Sequence, residues 1–413
     1  MIRVMRVESI VVGGGPAGAA AAHWLAKAGH EVLLVEKKEY PREKTCGDGL
    51  TPRAIFQLQE MGFDFTVPEL HRITGLRSYA GDDVMLELAW PEHSKFPNWG
   101  AVIRRKDLDS QVARLAEKQG VVIRAHTEAK PVMGEGERLT AVDLVSGGET
   151  ERVEADLVVI ADGSMNRFGR DLGTARRRDY PMGMAARGYY ASPRSNDPFL
   201  ESQLDIRDAS GASMPGYGWI FPLGDGTVNV GVGLLSTFKR WKHVNTSVMM
   251  ADYVRSAPDY WQLDESSKLT DPRGGKLTMS FSKGPLVGPN WITIGDAAGA
   301  INPWNGEGIS YAYETGRIAA EIVADALRAS DPSLLHRYTQ RLDDEYGDYY
   351  QMARIFVKLI GNPPVMRTLA HVGLRNRPLM EWTLKVMSNL LDEEDAHMGE
   401  RVFQALRAVV RAA

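Results

Sequence analysis

The chain has 413 residues, 44% of them hydrophobic and 25% charged, which is enough for two or three packed units and a core able to enclose a large ligand. A formal net charge of −4 supplies no basic field for phosphate backbones, so no nucleic-acid partner is expected. The single cysteine, Cys46, excludes an intramolecular disulfide framework and points to a reducing compartment, and no metal centre is assigned.

Arg3 and Arg6 precede an apolar stretch over 10–22, the order of a signal peptide, but Gly13-Gly14-Gly15-Pro16 would break such a helix in its middle. The sequence contains no uninterrupted apolar run near the roughly 18 residues that a spanning helix needs. The expected location is the cytoplasm, with peripheral contact at the inner face of the cell membrane kept open.

Residues 8–12 predict a short buried strand, followed at once by Gly13-x-Gly15-x-x-Gly18 and an alanine-rich helix over 19–28. A second apolar strand over 31–35 ends at Glu36, roughly 20 residues past the glycines. Each residue type has a physical task. Gly13 permits the tight turn, Gly15 lets backbone approach a pyrophosphate, Gly18 lets helix and strand pack closely, and the helix start offers free N–H groups. Glu36 can accept hydrogen bonds from a ribose, and an acid there disfavours a 2′-phosphate. A glycine turn alone can be a surface feature; strand, helix, second strand and terminal acid in this order indicate a bound dinucleotide.

Further along, Arg105 stands before Leu108-Asp109 at the start of an amphipathic helix, and an apolar strand over 156–161 ends in Asp162-Gly163. The pattern then changes to period-2 strands over 182–190 and 202–207. Tyr217-Gly218-Trp219-Ile220-Phe221-Pro222 and 227–232 form a hairpin around Gly224-Asp225-Gly226. Alternation sets Tyr217, Trp219 and Phe221 on one face of that hairpin. Residues 291–299 repeat the strand-and-glycine pattern, with Asp296 inside Gly295-Asp296-Ala297-Ala298-Gly299, and Asn305-Gly306-Glu307-Gly308 opens a long helix through 326. From 333 to 413 the chain reads as helical. Met352, Ile355, Phe356 and Leu359 form one stripe beside Arg354 and Lys358, Pro363-Pro364 interrupts it, and Leu379, Trp382, Val386, Leu390, Phe403, Leu406 and Val410 continue it alongside Arg407 and Arg411. Packing against the nucleotide domain is the expected role of this tail; a surface that admits a lipid tail is the alternative. Asp392-Glu393-Glu394-Asp395 reads as a solvated turn.

The first turn, the segment at 155–163 and the segment at 291–308 together resemble the glutathione-reductase type of FAD-binding fold, seen in hydroxylase and halogenase flavoproteins. NAD domains lack this set. The resemblance implies an α/β, Rossmann-like FAD domain, with Gly13, Gly15, Ala17, Gly18, Glu36, Arg105, Asp162 and Asp296 near the cofactor. It also implies that the amides of Gly306, Gly308 and Ile309 face the flavin pyrimidine, where helix-start N–H groups stabilise charge that develops on reduction.

The runs Tyr217-x-Trp219-x-Phe221-Pro222 and Pro41-Arg42-Glu43-Lys44-Thr45-Cys46-Gly47-Asp48-Gly49-Leu50-Thr51-Pro52-Arg53 make the likeness more specific. They resemble the motifs of the geranylgeranyl reductase family of FAD-dependent oxidoreductases, and Pro215-Gly216-Tyr217 and 386–390 extend the likeness to its actinobacterial menaquinone polyprenyl reductase branch. The family implies an isoprenoid substrate, an external donor such as NAD(P)H, ferredoxin or another reductant, and saturation of isolated C=C bonds. Cys46, Tyr217 and Trp219 become candidate catalytic residues, with Tyr217, Trp219, Phe221 and Trp304 lining the pocket. Trp304 and Ser310 depart from the Leu and Asp usual in that branch, and Thr45 stands where Pro is common. The expected organisation is an FAD domain from 1–70, 100–178 and 275–330, an inserted antiparallel substrate sheet from 71–99 and 179–274, and a helical region over 331–413. Two rival readings share the fold. Halogenases use a WxWxIP motif and a reactive lysine, against which Tyr217 and Phe221 count, and prenyl-escort proteins bind without turnover and need no intact flavin signatures.

Overall fold

A computed structural model describes residues 5–81, 84–208, 210–214 and 216–392. Arg3, Pro215, Glu393–Asp395 and the helical stripe at Phe403, Leu406, Arg407, Val410 and Arg411 lie outside the described residues.

The nucleotide half is built on a parallel sheet. Val122–Arg124, Val32–Val35, Met5–Val12 and the second half of Glu149–Ile160 lie side by side, and Trp291–Thr293 pairs with that last strand. Ile10, Val11, Leu33, Leu34 and Val159 are fully buried because both faces are covered, one by the long helices and the other by the hairpin strand at Leu139–Ser146 with Phe168 and Leu172, which is why these strands read as unbroken apolar runs. The strand expected from 156 begins earlier, at Glu149. Its first half is antiparallel to Leu139–Ser146, which in turn pairs with Glu128–Met133. One continuous strand thus joins the nucleotide sheet to a hairpin annex.

Two helices dominate the packing. Pro16–Lys27 starts with Pro16 in its first turn, where the missing N–H costs nothing, and buries Ala19 to Ala22. Ile309–Ala329 crosses it so closely that a β carbon on Gly316 would lie 2.5 Å from the Ala17 carbonyl oxygen.

The inserted sheet runs Arg273–Thr278, Met182–Ala191, Thr227–Leu235, Gly216–Pro222, Phe199–Gln203, Gly75–Ala80 and Val84–Ala89 in spatial order. It is antiparallel with one exception. Phe199–Gln203 is parallel to Gly75–Ala80, Glu201 opposite Arg77. The strand expected over 202–207 therefore lies at 199–203 instead. Its pattern was masked because Glu201 is buried as a carboxylate held by Arg77, the Tyr260 hydroxyl and the Trp261 indole.

The hairpin at 216–235 shows how alternation divides the sheet. Val228, Val230, Val232 and Leu234 pack on Met249, Met250 and Tyr253 of the helix Thr246–Ser256. Each such apolar side chain contributes about 1.5–3 kcal/mol by leaving water. The opposite face carries Asn229, Gly231 and Gly233, paired with Phe221, Trp219 and Tyr217. Gly231 is obligatory there, since a β carbon would sit 2.2 Å from the Trp219 ring. A smaller sheet of Gly49–Leu50, Gly100–Val102 and His71–Ile73 links the two halves.

The C-terminal region folds as Arg337–Ile360, Pro363–Gly373 and Arg377–Met387. Pro363-Pro364 does more than interrupt, because it starts the second of these helices. The expected stripe needs correction. Tyr346, Tyr349, Tyr350, Ala353, Val357 and Ile360 are buried, whereas Ile355 is 59% and Leu359 52% exposed. The tyrosines supply the core-facing surface by burying their rings while bonding their hydroxyls, as Tyr350 does to the Ala300 carbonyl at 2.7 Å.

Candidate functional site

At the amino-terminal turn Gly13 has φ +102 and donates its amide to the Val35 carbonyl at 2.8 Å. A β carbon at 13 would fall 2.3 Å from the Ala161 oxygen, and one at 18 would fall 1.8 Å from the Gly13 oxygen. Gly15 is the N-cap of Pro16–Lys27, with no side chain of its own to occupy the helix-start amides. Glu36 is buried, one carboxylate oxygen accepting from Gly14 N at 2.8 Å and the other from Lys38 N at 2.9 Å. Arg42 reaches across this turn, with Nε 3.4 Å from Glu36 and Nη2 3.1 Å from Asp109. Sequence reasoning did not single Arg42 out, because nothing local shows that it meets both acids.

The other two segments converge on the same helix start. Gly295 has φ +57, and a β carbon there would lie 2.6 Å from the Ala17 methyl, so the Asp296 turn presses against the first helix. Gly308 caps Ile309–Ala329, and its would-be β carbon is 3.6 Å from an Asp296 carboxylate oxygen. Ile309 packs with Ala19 and Ala20. Asp162 ends the long central strand and accepts from Phe168 N at 2.8 Å; burial pushes its carboxyl up to about 6. Between them lies Lys283, which the sequence did not flag. Its ammonium donates to Ser164 O at 2.8 Å and Asp296 O at 2.9 Å, and burial pushes it down to about 8.

The Cys46 loop joins this nucleotide half to the inserted sheet. Tyr217, Trp219 and Phe221 form a row with ring centroids 5.8 and 6.2 Å apart, and the Tyr217 hydroxyl donates to Asn305 O at 2.7 Å. The Trp219 indole donates to Asn229 Oδ1 at 3.0 Å. Asn229 then donates to Cys46 O at 2.9 Å and to Asp48 Oδ2 at 2.8 Å. Asp48, fully buried at φ +67, also accepts from the Tyr189 hydroxyl at 2.6 Å and from Arg105 N at 3.2 Å. Burial nevertheless raises its pKa above the usual carboxylate range.

Gly47 and Gly49 let the loop lie on the row, since β carbons there would be 3.2 and 3.1 Å from the Phe221 ring. Burial raises the Cys46 thiol, opposed by the Arg105 guanidinium, so the thiol holds its proton at neutral pH. Arg105 is itself clamped to Asp109 by bonds of 2.8 and 2.9 Å. Asp48 and Tyr189 escaped sequence reading because their partners lie far away in sequence. Asn229 carried a signal, a carboxamide beside Gly231 and Gly233 on the strand face that meets the aromatic row.

The Trp304 ring lies 4.6 Å from Phe356 and 6.2 Å from Tyr349, facing the helix Arg337–Ile360, while the carbonyl of the next residue, Asn305, accepts from the Tyr217 hydroxyl.

These residues fit FAD. The glycine cradle, two helix starts converging on one place and an acid closing the second strand are the features a pyrophosphate and ribose require. The general FAD binding domain model matches residues 6–193. The chain is 37% identical over 398 residues to a menaquinone reductase of Mycobacterium tuberculosis, covering 96% of this chain and 94% of that one. It is 30% identical to a digeranylgeranylglycerophospholipid reductase of Methanocella arvoryzae, covering 88% and 90%. A solved geranylgeranyl bacteriochlorophyll reductase-like protein of Thermoplasma acidophilum superposes with a TM-score of 0.78 at 20% identity, covering 98% of this chain and 100% of that one. Flavin-dependent halogenases share the architecture at 15% to 19% identity, which shows the fold alone. With relatives matched along nearly its whole length and the residues of an FAD site in place, the chain belongs to the geranylgeranyl reductase family of FAD-dependent oxidoreductases.

Proposed function

We propose that this protein saturates isolated C=C bonds of a polyprenyl chain, with the side chain of menaquinone as the substrate. The observation that carries the proposal is the Cys46 loop bonded through Asn229 onto the Tyr217–Trp219–Phe221 row, whose Trp219 ring lies over Gly231 of the neighbouring strand. A wall of aromatic rings suits an isoprenoid, which offers nothing to hydrogen-bond.

When bound, reduced FAD supplies hydride to one alkene carbon. The chain's own residues do the rest. Tyr217, Trp219 and Phe221 bind the prenyl chain and keep water away, with ring faces able to stabilise positive charge. Cys46 Sγ holds a proton for the other alkene carbon, and the thiolate left behind lies beside the Arg105 guanidinium until solvent reprotonates it. Asn229 and Asp48 fix the loop that carries the thiol.

The substrate unit in this reading is 71–99 with 179–274, set on the FAD domain of 1–70, 100–178 and 275–330. Electrons come from an external donor, NAD(P)H, ferredoxin or another reductant, through transient contact. Ile355 and Leu359, exposed beside Lys358 on one helix, form the face through which a lipid tail enters from a membrane surface. Among the described residues no helix is long and apolar enough to cross a membrane.

The test is anaerobic incubation of dithionite-reduced protein with menaquinone and, separately, with geranylgeranyl diphosphate, followed by mass spectrometry. Menaquinone samples are oxidised in air first, so that the ring returns to the quinone. A gain of two hydrogens retained in the side chain is expected; an unchanged side chain with both substrates overturns the proposal.

A further inference from the structure

The turn that opens the helix Ile309–Ala329 carries a carboxylate that no step above uses. Glu307 lies between Gly306 and Gly308, half-buried, its Oε1 accepting from Ser310 N at 2.7 Å and its Oε2 from the Ser310 hydroxyl. The Glu307 carbonyl accepts from Asn302 N at 2.8 Å, and its amide donates to Asn305 Oδ1 at 2.9 Å, so the turn is fixed at both ends. A carboxylate at a helix start is stabilised by the helix amides. The same amides face the flavin pyrimidine in the reading above, on which this inference rests. Two negative charges then compete for one helix start once the flavin is reduced.

We propose that Glu307 takes up one proton each time the bound flavin receives two electrons, and so serves as the proton reservoir of the site. The balance is simple. Two electrons, from dithionite in the test and from a reduced nicotinamide or iron–sulfur carrier in turnover, reduce the flavin with one proton to its anionic form. The carboxylate becomes a carboxylic acid with a second proton from solvent. Hydride leaves to the alkene, Cys46 gives the product its proton, and Glu307 releases its own proton to the solvent that reprotonates the thiolate, so flavin, thiol and carboxylate return to their starting states.

The surroundings decide which groups can share this role. Glu314 faces Glu307 from two turns along the helix and opposes its ionisation, but Glu314 is itself held by two bonds from Arg53, at 3.0 and 2.8 Å, and by the Tyr346 hydroxyl at 2.7 Å. Arg53, on the helix Pro52–Glu60, favours the ionised form of Glu307. Tyr311 and Tyr313 on the same helix, and Tyr349 and Tyr350 on Arg337–Ile360, are held neutral by burial. Glu307 alone among these carboxylates has only serine donors. Burial, and secondarily Glu314, push it up to about 7, so a nearby negative charge is enough to move it across neutrality.

The sign fixes the window. Below about pH 7 Glu307 is protonated whether or not the flavin is reduced; above it, reduction adds the second proton. The FAD-bound protein is titrated by potentiometry, with dithionite and mediator dyes, at several values from about pH 7 to pH 8.5. In this range the midpoint potential of the wild type should fall with pH about twice as steeply as that of Glu307→Gln, two protons per two electrons against one. Equal slopes overturn the proposal, because the second proton then belongs to the flavin or another group. If Glu307→Gln fails to hold FAD, Ser310→Ala serves. Loss of the hydroxyl donor raises Glu307, so the onset of the two-proton range should move to higher pH, and an unmoved onset overturns the proposal. The measurement needs no prenyl substrate. A two-proton slope without prenyl turnover would therefore sink only the assigned reaction, and a one-proton slope with turnover only the reservoir.

Discussion

The glycine turn at 13–18 and the Cys46 loop at 46–49 both use glycine to let backbone pack closely, but they are specified in different ways. The turn is specified mainly by its own stretch: Gly18 packs on the Gly13 oxygen and Gly14 donates to Glu36, 22 residues on, although Gly13 also packs on Ala161. The loop is held from far away, by Asn229 from 183 residues along the chain and by Tyr189 from 141. A cofactor cradle can thus be written in one short stretch, whereas the placement of the thiol depends on the inserted sheet folding correctly against it. Cofactor binding and chemistry should therefore be separable by mutation.

Gly18→Val should have the largest effect. Its β carbon has no room beside the Gly13 oxygen, so FAD affinity should fall by about 100-fold or more, roughly 2.7 kcal/mol, in a fluorescence titration. Full retention of FAD would break the comparison at its local end.

Cys46→Ser should leave FAD affinity within about twofold and lower turnover by about 100-fold, as loss of a proton donor does. In the wild type the alkaline limb of turnover should lie above the ordinary thiol range of about 8.5, because burial keeps the proton on Cys46 as pH rises. That limb should vanish in the serine variant. Unchanged turnover removes Cys46 from the chemistry.

Asn229→Leu sharpens the distal end. It leaves the Trp219 indole and Cys46 O without a partner and Asp48 Oδ2 with the Tyr189 hydroxyl alone, at a cost of about 1–3 kcal/mol read from denaturant unfolding. Turnover should fall by about 10-fold with FAD still bound. Loss of FAD in parallel would show that loop and cradle are one unit. The smallest effect is expected at Trp304, whose ring packs on Phe356 and Tyr349. Trp304→Leu should change turnover by less than about twofold, and a shift in the preferred prenyl length would return it to the pocket.

What could be read in the sequence follows the same division. The glycines, Glu36, the second and third FAD segments and the 217–222 strand were legible because each depends on spacing within a few residues. The hairpin face was legible from alternation alone, down to the aromatic row. The strand at Phe199–Gln203 was misplaced because buried Glu201 imitates a surface residue until Arg77 and Trp261 are seen beside it. The inward face of Arg337–Ile360 was missed because tyrosines supply it. Arg42, Asp48, Tyr189 and Lys283 owe their positions to partners on other elements, and no local pattern announces such pairs.

The account rests on reduced flavin and the prenyl chain meeting at the Cys46 loop, and an anaerobic single turnover tests that directly. Protein carrying FAD is reduced with dithionite, freed of excess reductant and mixed with menaquinol, whose ring is already reduced and cannot take the flavin's electrons, while flavin absorbance and product mass are followed together. The account predicts that flavin is oxidised without oxygen and that one double bond is saturated for each flavin. Flavin that stays reduced until oxygen is admitted, with an oxygenated product or none, would contradict it.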